Sequence, residues 1–399
     1  MRTPGSRLFG RFAQRYGAPA LRRSVRAQRR RDHAGLPAAD PGAAAVVDAG
    51  LDWICRAQDR SSSRDGGVAS HFSLIDGWSA SYPETTGYIV PTVLNHARSS
   101  QIEALRDRAK RMLDWLVSVQ LQEGGFPGGR IGQEPVLPVT FNTGQIVLGL
   151  AAGVAEFGKV FRRPLRRAAD WLVRTQDDDG CWRGHPTPFA RRGPKAYETH
   201  VAWGLLEAAR VEPADQYVAA ALANVKWALT LQRDNGWFDQ CCLTDPARPL
   251  THTLGYVLRG LVEAHRFTDD AEIAEAACRT ADGLLGALGD DGFLPGRLNA
   301  DWSAAVDWAC LTGTAQIAHG WLQLFTITGD ARYRDAALAA NRYVRRTISV
   351  AGSPDTRGGV RGSFPIDGGY GPYKYLSWAA KFMVDANRLE LSLGGLDDA

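Results

Sequence analysis

Glu84, Glu198, His200 and Tyr256 are the side chains in this sequence best suited to moving protons. Glu84 follows Pro83 at what reads as a helix start, and Glu198 stands at a second start with His200 two residues on. Carboxyl, imidazole and phenol groups exchange protons usefully once burial or neighbours shift their pKa. Two carboxyl groups across a groove suit glycoside hydrolysis, in which one of them protonates the leaving oxygen. A Tyr or His base suits proton abstraction beside a uronate carboxyl instead, with Asn142 or an Arg neutralising the acid group. Each residue alone also has a purely structural explanation. A carboxylate at a helix start is a cap, and a buried Tyr or His can be a core residue with a satisfied polar tip.

The collective argument is stronger, because these residues recur in register. The second helical segment of each repeat carries one residue of a column that reads Tyr88, Gln145, His200, Tyr256, Gln316 and Trp378, spaced 55 to 62 residues apart. His252 precedes the fourth of these helices, and Asn142 opens the second. A ring of such helices would aim the column at one axis, where these groups would line a substrate pocket. Further ligand candidates lie in the loops: Trp78 and Trp302, outside the repeat pattern, and the loop 368–375 with Tyr370, Tyr373 and Lys374 among glycines. Upstream of that loop, Arg357, Arg361 and Asp367 offer charge; the guanidinium forks fit a carboxylate or phosphate, or are plain solvated charges.

The elements that position these residues follow from an internal repeat. Trp53/Gln58, Trp115/Gln120, Trp171/Gln176 and Trp227/Gln232 are Trp-x4-Gln pairs, the last three stepping by 56 residues. Gly124, Gly180 and Gly236 each follow four residues after Gln, with Phe126, Trp182 and Trp237 close behind. A further step lands on Gly283, where Leu288, Asp291, Gly292 and Phe293 keep a worn version of the pattern. The first segments of the repeats (46–58, 102–120, 165–176, 217–232, 271–288 and 331–348) space apolar residues by three and four with charges between, as half-buried helices do. The second segments (85–95, 142–155, 198–209, 253–265, 314–325 and 376–389) are apolar on most faces, with Gly149, Gly204, Gly260 and Gly320 inside them. Alternating polar-outside and apolar-inside helices predict an all-α fold, an (α/α)6 toroid of six inner helices ringed by six outer ones. The long connections all run from an outer helix to the next inner one, so they share one rim with the inner helix N-termini. A pocket mouth is expected there.

The bulk composition agrees with a folded soluble body: 45% hydrophobic and 23% charged residues among 399. No run of eighteen apolar residues stands out in the sequence. Six Cys at 55, 181, 241, 242, 278 and 310 show no paired framework, which favours a reducing cytosol. Residues 1–31 hold ten Arg and no acidic residue, so the net charge of +4 leaves the remainder at −6. Residues 1–45 are therefore expected to be an Arg-rich disordered tail and linker, 46–392 the toroid, and 393–399 a disordered end. The tail suits contact with anionic lipid, and so a peripheral place at the inner membrane. Nucleic-acid binding is excluded by the acidic body. No phosphate-binding Gly loop and no Ser nucleophile elbow occur, and no cofactor is expected.

The repeat resembles that of the terpenoid cyclase and protein prenyltransferase superfamily, whose members are α/α toroids. The run 82–92 and the ending 369–382 are similar to a bacterial subgroup of prenyltransferase/squalene-oxidase-repeat proteins associated with exopolysaccharide biosynthesis. That resemblance implies a polysaccharide or oligosaccharide substrate. The superfamily's own chemistries lack their motifs here. The Asp clusters 177–179, 269–270 and 290–291 do not form an Asp-x-Asp-Asp acid. Asp307 and Cys310 are one residue too far apart for the zinc pair, and Cys241, Cys242 and His252 are a fainter metal set, so no metal site is assigned. The expectation is a carbohydrate-active protein of bacterial polysaccharide production, a hydrolase, lyase or epimerase. An isoprenoid-binding cyclase or prenyltransferase-like protein and a non-catalytic glycan-binding scaffold are the alternatives.

Overall fold

A computed structural model describes residues 23–394. Outside the ring, α1 spans Arg23–His33. The outer helices are α2 (Ala43–Asp59), α4 (Glu103–Ser118), α6 (Arg162–Arg174), α8 (Asp215–Leu229), α10 (Ala271–Gly286) and α12 (Ala331–Arg346). The inner ones are α3 (Pro83–Ser100), α5 (Thr140–Phe157), α7 (Thr199–Val211), α9 (Thr251–Thr268), α11 (Leu311–Thr328) and α13 (Ser377–Gly394). Inner helices pack in chain order, α13 returns to α3, and α2 packs on α13, so the ring closes. The (α/α)6 toroid is the observed fold. Each outer helix after the first packs on the inner helix before it in the chain, and the first outer helix completes the last pair.

Strands are confined to the rim loops and are two or three residues long. β1 (His71–Ser73) lies between β2 (Gly77–Trp78) and β5 (Lys374–Leu376), all antiparallel; β3 (Ala309–Cys310) pairs with β4 (Ser363–Phe364). β1 and β5 belong to the first and last repeats, so their pairing is a second closure of the ring. The stretch Thr140–Arg174 is apolar and long enough to match a membrane span, but it comprises α5 and α6 joined by a 3-10 turn. Fourteen of the eighteen α5 residues are buried inside the protein.

The Trp-x4-Gln repeat is a clamp between neighbouring outer helices. Gln176 Nε2 donates to Gly180 O at 2.9 Å, in its own turn, and to Ala220 O at 2.8 Å, on the next outer helix. Gln58 and Gln120 repeat both bonds with Gly66 O and Arg108 O, and with Gly124 O and Pro164 O. The turn glycine comes close to that helix. At Gly236 (φ 82°) a Cβ would lie 2.2 Å from Arg279 O; at Gly358 (φ 78°) it would lie 1.8 Å from Ala49 O on α2. Gly283 departs from the Trp column for a packing reason. Trp302 reaches over from the rim loop, and a Cβ on Gly283 would come within 2.1 Å of its indole.

The disordered-tail expectation is corrected for part of residues 1–45. Asp32 on α1 is buried and paired with Arg361, itself 4% exposed, and its second oxygen accepts from Ile366 N at 2.9 Å. Arg29 and His33 meet Asp367 at 2.6 and 2.9 Å. A helix that brings a matching carboxylate to a buried guanidinium is held in place, because removing either partner leaves an uncompensated charge. α2 begins at Ala43 rather than at 46, and α13 runs to Gly394. Residues 1–22 and 395–399, with most of the proposed lipid-binding tail, lie outside the described residues.

Gly358→Ala should destabilise the protein far more than Gly329→Ala. Both sites have positive φ, which costs an L-residue about 1–2 kcal/mol, but Gly329 faces open space whereas Gly358 abuts α2. Overpacking adds roughly 1–3 kcal/mol at Gly358 alone. Thermal unfolding of the two variants measures the difference; equal losses would show that the ring does not close through this contact.

Candidate active site

Inner helices start at the wide rim, and four of them build one pocket of about 540 Å³, counting the open solvent at its mouth. Its walls are Tyr82, Glu84, Tyr88, Phe141, Thr187, Phe189, Tyr197, Leu243, His252, Thr253, Tyr256, Tyr370 and Trp378. Of the sequence candidates it gathers Glu84, Tyr88, His252, Tyr256, Tyr370 and Trp378.

Glu84 sits in the first turn of α3, where Pro83 takes the position that has no N–H to spare. Tyr82 Oη donates to Glu84 Oε2 at 2.6 Å. Burial lifts the Glu84 carboxyl to about 7, the Tyr82 bond opposing that rise. Asn142 lies against the Tyr82 phenol and bonds only weakly to Pro127 O, at 3.4 Å. His252 Nδ1 is 2.7 Å from Gln316 Oε1, which fixes the ring. Burial lowers the imidazole to about 4, with the Gln316 bond acting the other way. One pocket thus holds an acid that stays protonated and an imidazole that stays neutral over the same pH interval. Pairs of titratable groups pushed apart in this way mark acid and base roles.

Tyr256 is the centre of the aromatic packing, its ring 4.5 Å from His252, 4.6 Å from His200 and 4.9 Å from Phe141. Trp378 Nε1 donates to Tyr370 Oη at 2.9 Å, and Tyr370 packs 5.3 Å from His252. The Tyr88 hydroxyl is buried beside the Tyr256 phenol and has no other polar neighbour to bond. Five of the thirteen wall residues are Tyr, and Phe and Leu together supply three.

Two of the four proposed proton carriers are not in the wall. Glu198 ends a 3-10 turn behind Tyr197, near Lys195 and Cys181, with Oε2 unpartnered, and burial raises its carboxyl to about 8. The chain turns at Lys195–Thr199, so the aromatic residue before the acid faces the pocket and the acid does not. His200 is fully buried among Tyr256, Trp203 and Phe141, with neither ring nitrogen bonded. Gln145 and Gln316 are buried next to the wall; Gln145 has no partner, and Gln316 serves His252.

The rim candidates divide similarly. Trp78 packs 5.3 Å from Trp53 and donates to Asp355 Oδ1. Trp302 donates to Asn235 O and packs on Trp237. Both indoles are thus used in rim packing rather than on a ligand. Arg361 is consumed by Asp32, Asp367 by α1, and the Arg357 carbonyl accepts from Arg56. Tyr373 and Lys374 hold the loop and β5 and do not reach the pocket wall. The metal alternatives do not converge. Cys241 Sγ donates to Thr253 O and His319 meets Arg259 and Gln323, and no group of three His, Cys, Asp or Glu comes together among the described residues.

Tyr82, Phe141, Thr187, Phe189, Tyr197, Leu243 and Thr253 were missed. Tyr82 and Tyr197 had a signal: an aromatic residue shortly before the acid at each of two inner helix starts. The others come from long rim loops or from a helix face that periodicity assigns to the core.

Fold and site together define an (α/α)6 toroid with an aromatic, acid-bearing pocket at the rim where its inner helices begin. No protein-family model and no curated protein sequence matches the chain. Solved structures do. An unsaturated glucuronyl hydrolase specific for heparin superposes with TM-score 0.71 at 15% identity, covering 88% of this chain and 97% of its own. A D-mannose isomerase gives 0.70 at 11%, with the same coverage, and the cellobiose 2-epimerase of Bacillus thermoamylovorans 0.65 at 11%, covering 85% and 95%. At such identities the likeness establishes the toroid.

Glu198→Gln should change the pH dependence of stability. The folded state holds the Glu198 proton up to about 8, whereas an unfolded Glu releases it near 4.3. The contribution is therefore complete below about pH 4 and lost as pH rises to 8. The Gln variant should gain on wild type by about 3 kcal/mol between pH 5 and pH 8. Denaturant titrations at the two pH values test this; parallel curves would place Glu198 in contact with solvent.

Proposed function

We propose that this protein is a carbohydrate-active enzyme that moves protons on a sugar unit held at the mouth of the toroid, hydrolysing or epimerising it. The observation that carries the reading is the presence of Glu84 and His252 in the wall of one aromatic pocket, with pKa values displaced in opposite directions. Glu84 is the general acid. In hydrolysis its proton goes to the departing glycosidic oxygen while His252 takes one from the attacking water. In epimerisation His252 takes a carbon-bound proton beside a carbonyl while Glu84 protonates the carbonyl oxygen; the enol, turned over in the pocket, then takes a proton from His252 on its other face as Glu84 recovers its own. Tyr82 orients the Glu84 carboxyl, Gln316 orients His252, and Trp378, Tyr370 and Tyr82 offer faces and edges for a sugar ring to stack on. A second carboxylate is not among the wall residues, so the acid–base pair is Glu84 with His252 rather than Glu84 with Glu198.

Support also comes from the structural neighbours named as a glucuronyl hydrolase, a mannose isomerase and a cellobiose epimerase. The resemblance of 82–92 and 369–382 to the exopolysaccharide-associated subgroup supports a place in polysaccharide production.

Incubation with neutral and acidic oligosaccharides, followed by reducing-end release and by exchange of carbon-bound hydrogen in deuterium oxide, separates hydrolysis from epimerisation. kcat/KM should be bell-shaped, falling below about pH 4 as His252 gains a proton and above about pH 7 as Glu84 loses one. Glu84→Gln and His252→Asn should each lower kcat by about 10²–10⁴-fold, the usual contribution of one proton-transfer group. Full activity in either variant would defeat the assignment.

A further inference from the structure

We infer that the pocket selects an electrically neutral sugar unit and rejects a uronate. This rests on the carbohydrate reading above and specifies its substrate class. Among the described residues, no Lys or Arg lines the pocket. The guanidinium groups that sequence reading offered to a substrate carboxylate are placed elsewhere: Arg361 is bound to Asp32, and Arg357, whose carbonyl accepts from Arg56, is not among the wall residues. Lys381 lies over the Tyr88 and Phe382 rings, but its Nζ is 2.9 Å from Asp385 and the two charges offset each other.

What the pocket does offer is neutral hydrogen-bonding capacity. The Tyr88 side chain is in the wall, its hydroxyl buried just behind the surface against Tyr256, and behind His252 the Gln316 amide nitrogen is buried and unpartnered. Buried polar atoms are nearly always paired, so free ones beside a pocket mark where a ligand's hydroxyls or ordered water bind. A sugar's hydroxyl groups answer such atoms with no charge to desolvate. A uronate would bury its carboxylate beside the Glu84 acid and a neutral imidazole, facing aromatic rings and no counter-ion. An unpaired buried charge costs several times what a neutral hydrogen bond returns.

The test uses the full chain at pH 6, titrated with neutral gluco- and manno-oligosaccharides and with oligomers ending in glucuronate or galacturonate. Binding is followed by calorimetry. At least ~100-fold tighter binding of a neutral oligomer supports the inference. Equal or tighter binding of the uronates overturns it and leaves the carbohydrate reading standing; no binding of either kind overturns both. Two variants make the result specific. Tyr88→Phe removes a hydroxyl whose one polar neighbour in the free protein is the Tyr256 phenol, so its Tm should change little while neutral-sugar binding weakens ~10-fold; unchanged binding counts against hydroxyl recognition. Leu243→Arg places a cation in the wall and should narrow the preference at least tenfold; an unaltered ratio counts against charge as the criterion.

Discussion

Backbone contact between each rim turn and the next outer helix is the constraint on which the architecture depends. A turn glycine can touch a helix carbonyl only because it lacks a Cβ, and Gln176 and its counterparts then bridge the two backbones. Each contact sets one outer helix against the next at nearly the same offset. Six such offsets bring Gly358 onto Ala49, and the array becomes a ring rather than an open superhelix. Closure matters more than any one bond. It gives every inner helix two inner neighbours, so α5 can be apolar around nearly its whole circumference without exposing that surface.

The ring also determines the electrostatics of the pocket. Inner helix starts converge at one rim, so a residue in the first turn of any of them is at once near the axis and cut off from bulk water. Desolvation acts on every ionisable group there in the direction of neutrality: Glu84 and Glu198 upward, His252 and His200 downward. Only the first and third of these side chains face the pocket, and that orientation separates a reactive group from a buried one. The loop that supplies Tyr370 is restrained from outside, by Asp32 at Ile366 and by Arg29 and His33 at Asp367. The N-terminal helix is thus part of the apparatus that shapes the pocket, although its Arg-rich sequence reads as a solvated tail.

Much of the fold was legible because its signal is periodic. A two-helix unit that recurs every 56 residues, with one segment amphipathic and the other apolar, has few ways to bury its surfaces, and a closed double ring satisfies them all. The register of the inner column was also close: Tyr88, Tyr256 and Trp378 reached the pocket wall, with Gln145, His200 and Gln316 packed beside or behind it. Trp302 was misread because it lies outside the repeat in sequence, yet in space it packs against Gly283, where the repeat has lost its Trp. Arg361 was misread because its partner Asp32 is 329 residues away, beyond the reach of any local pattern.

What the sequence by itself determined was the architecture and the rim that carries the pocket, since both follow from the spacing of apolar residues and the lengths of connections, quantities that are local and repeated. What only the tertiary structure decided was which of several similar helix starts turns its side chain inward. Glu84 follows directly on Pro83 into a long α-helix, while Glu198 closes a 3-10 turn whose Tyr197 takes the inward position. A difference of one residue in that turn rotates a carboxyl from the pocket wall into the packing behind it. No property of the two local sequences expresses that rotation, because it is set by the long loops and neighbouring helices against which each turn is packed.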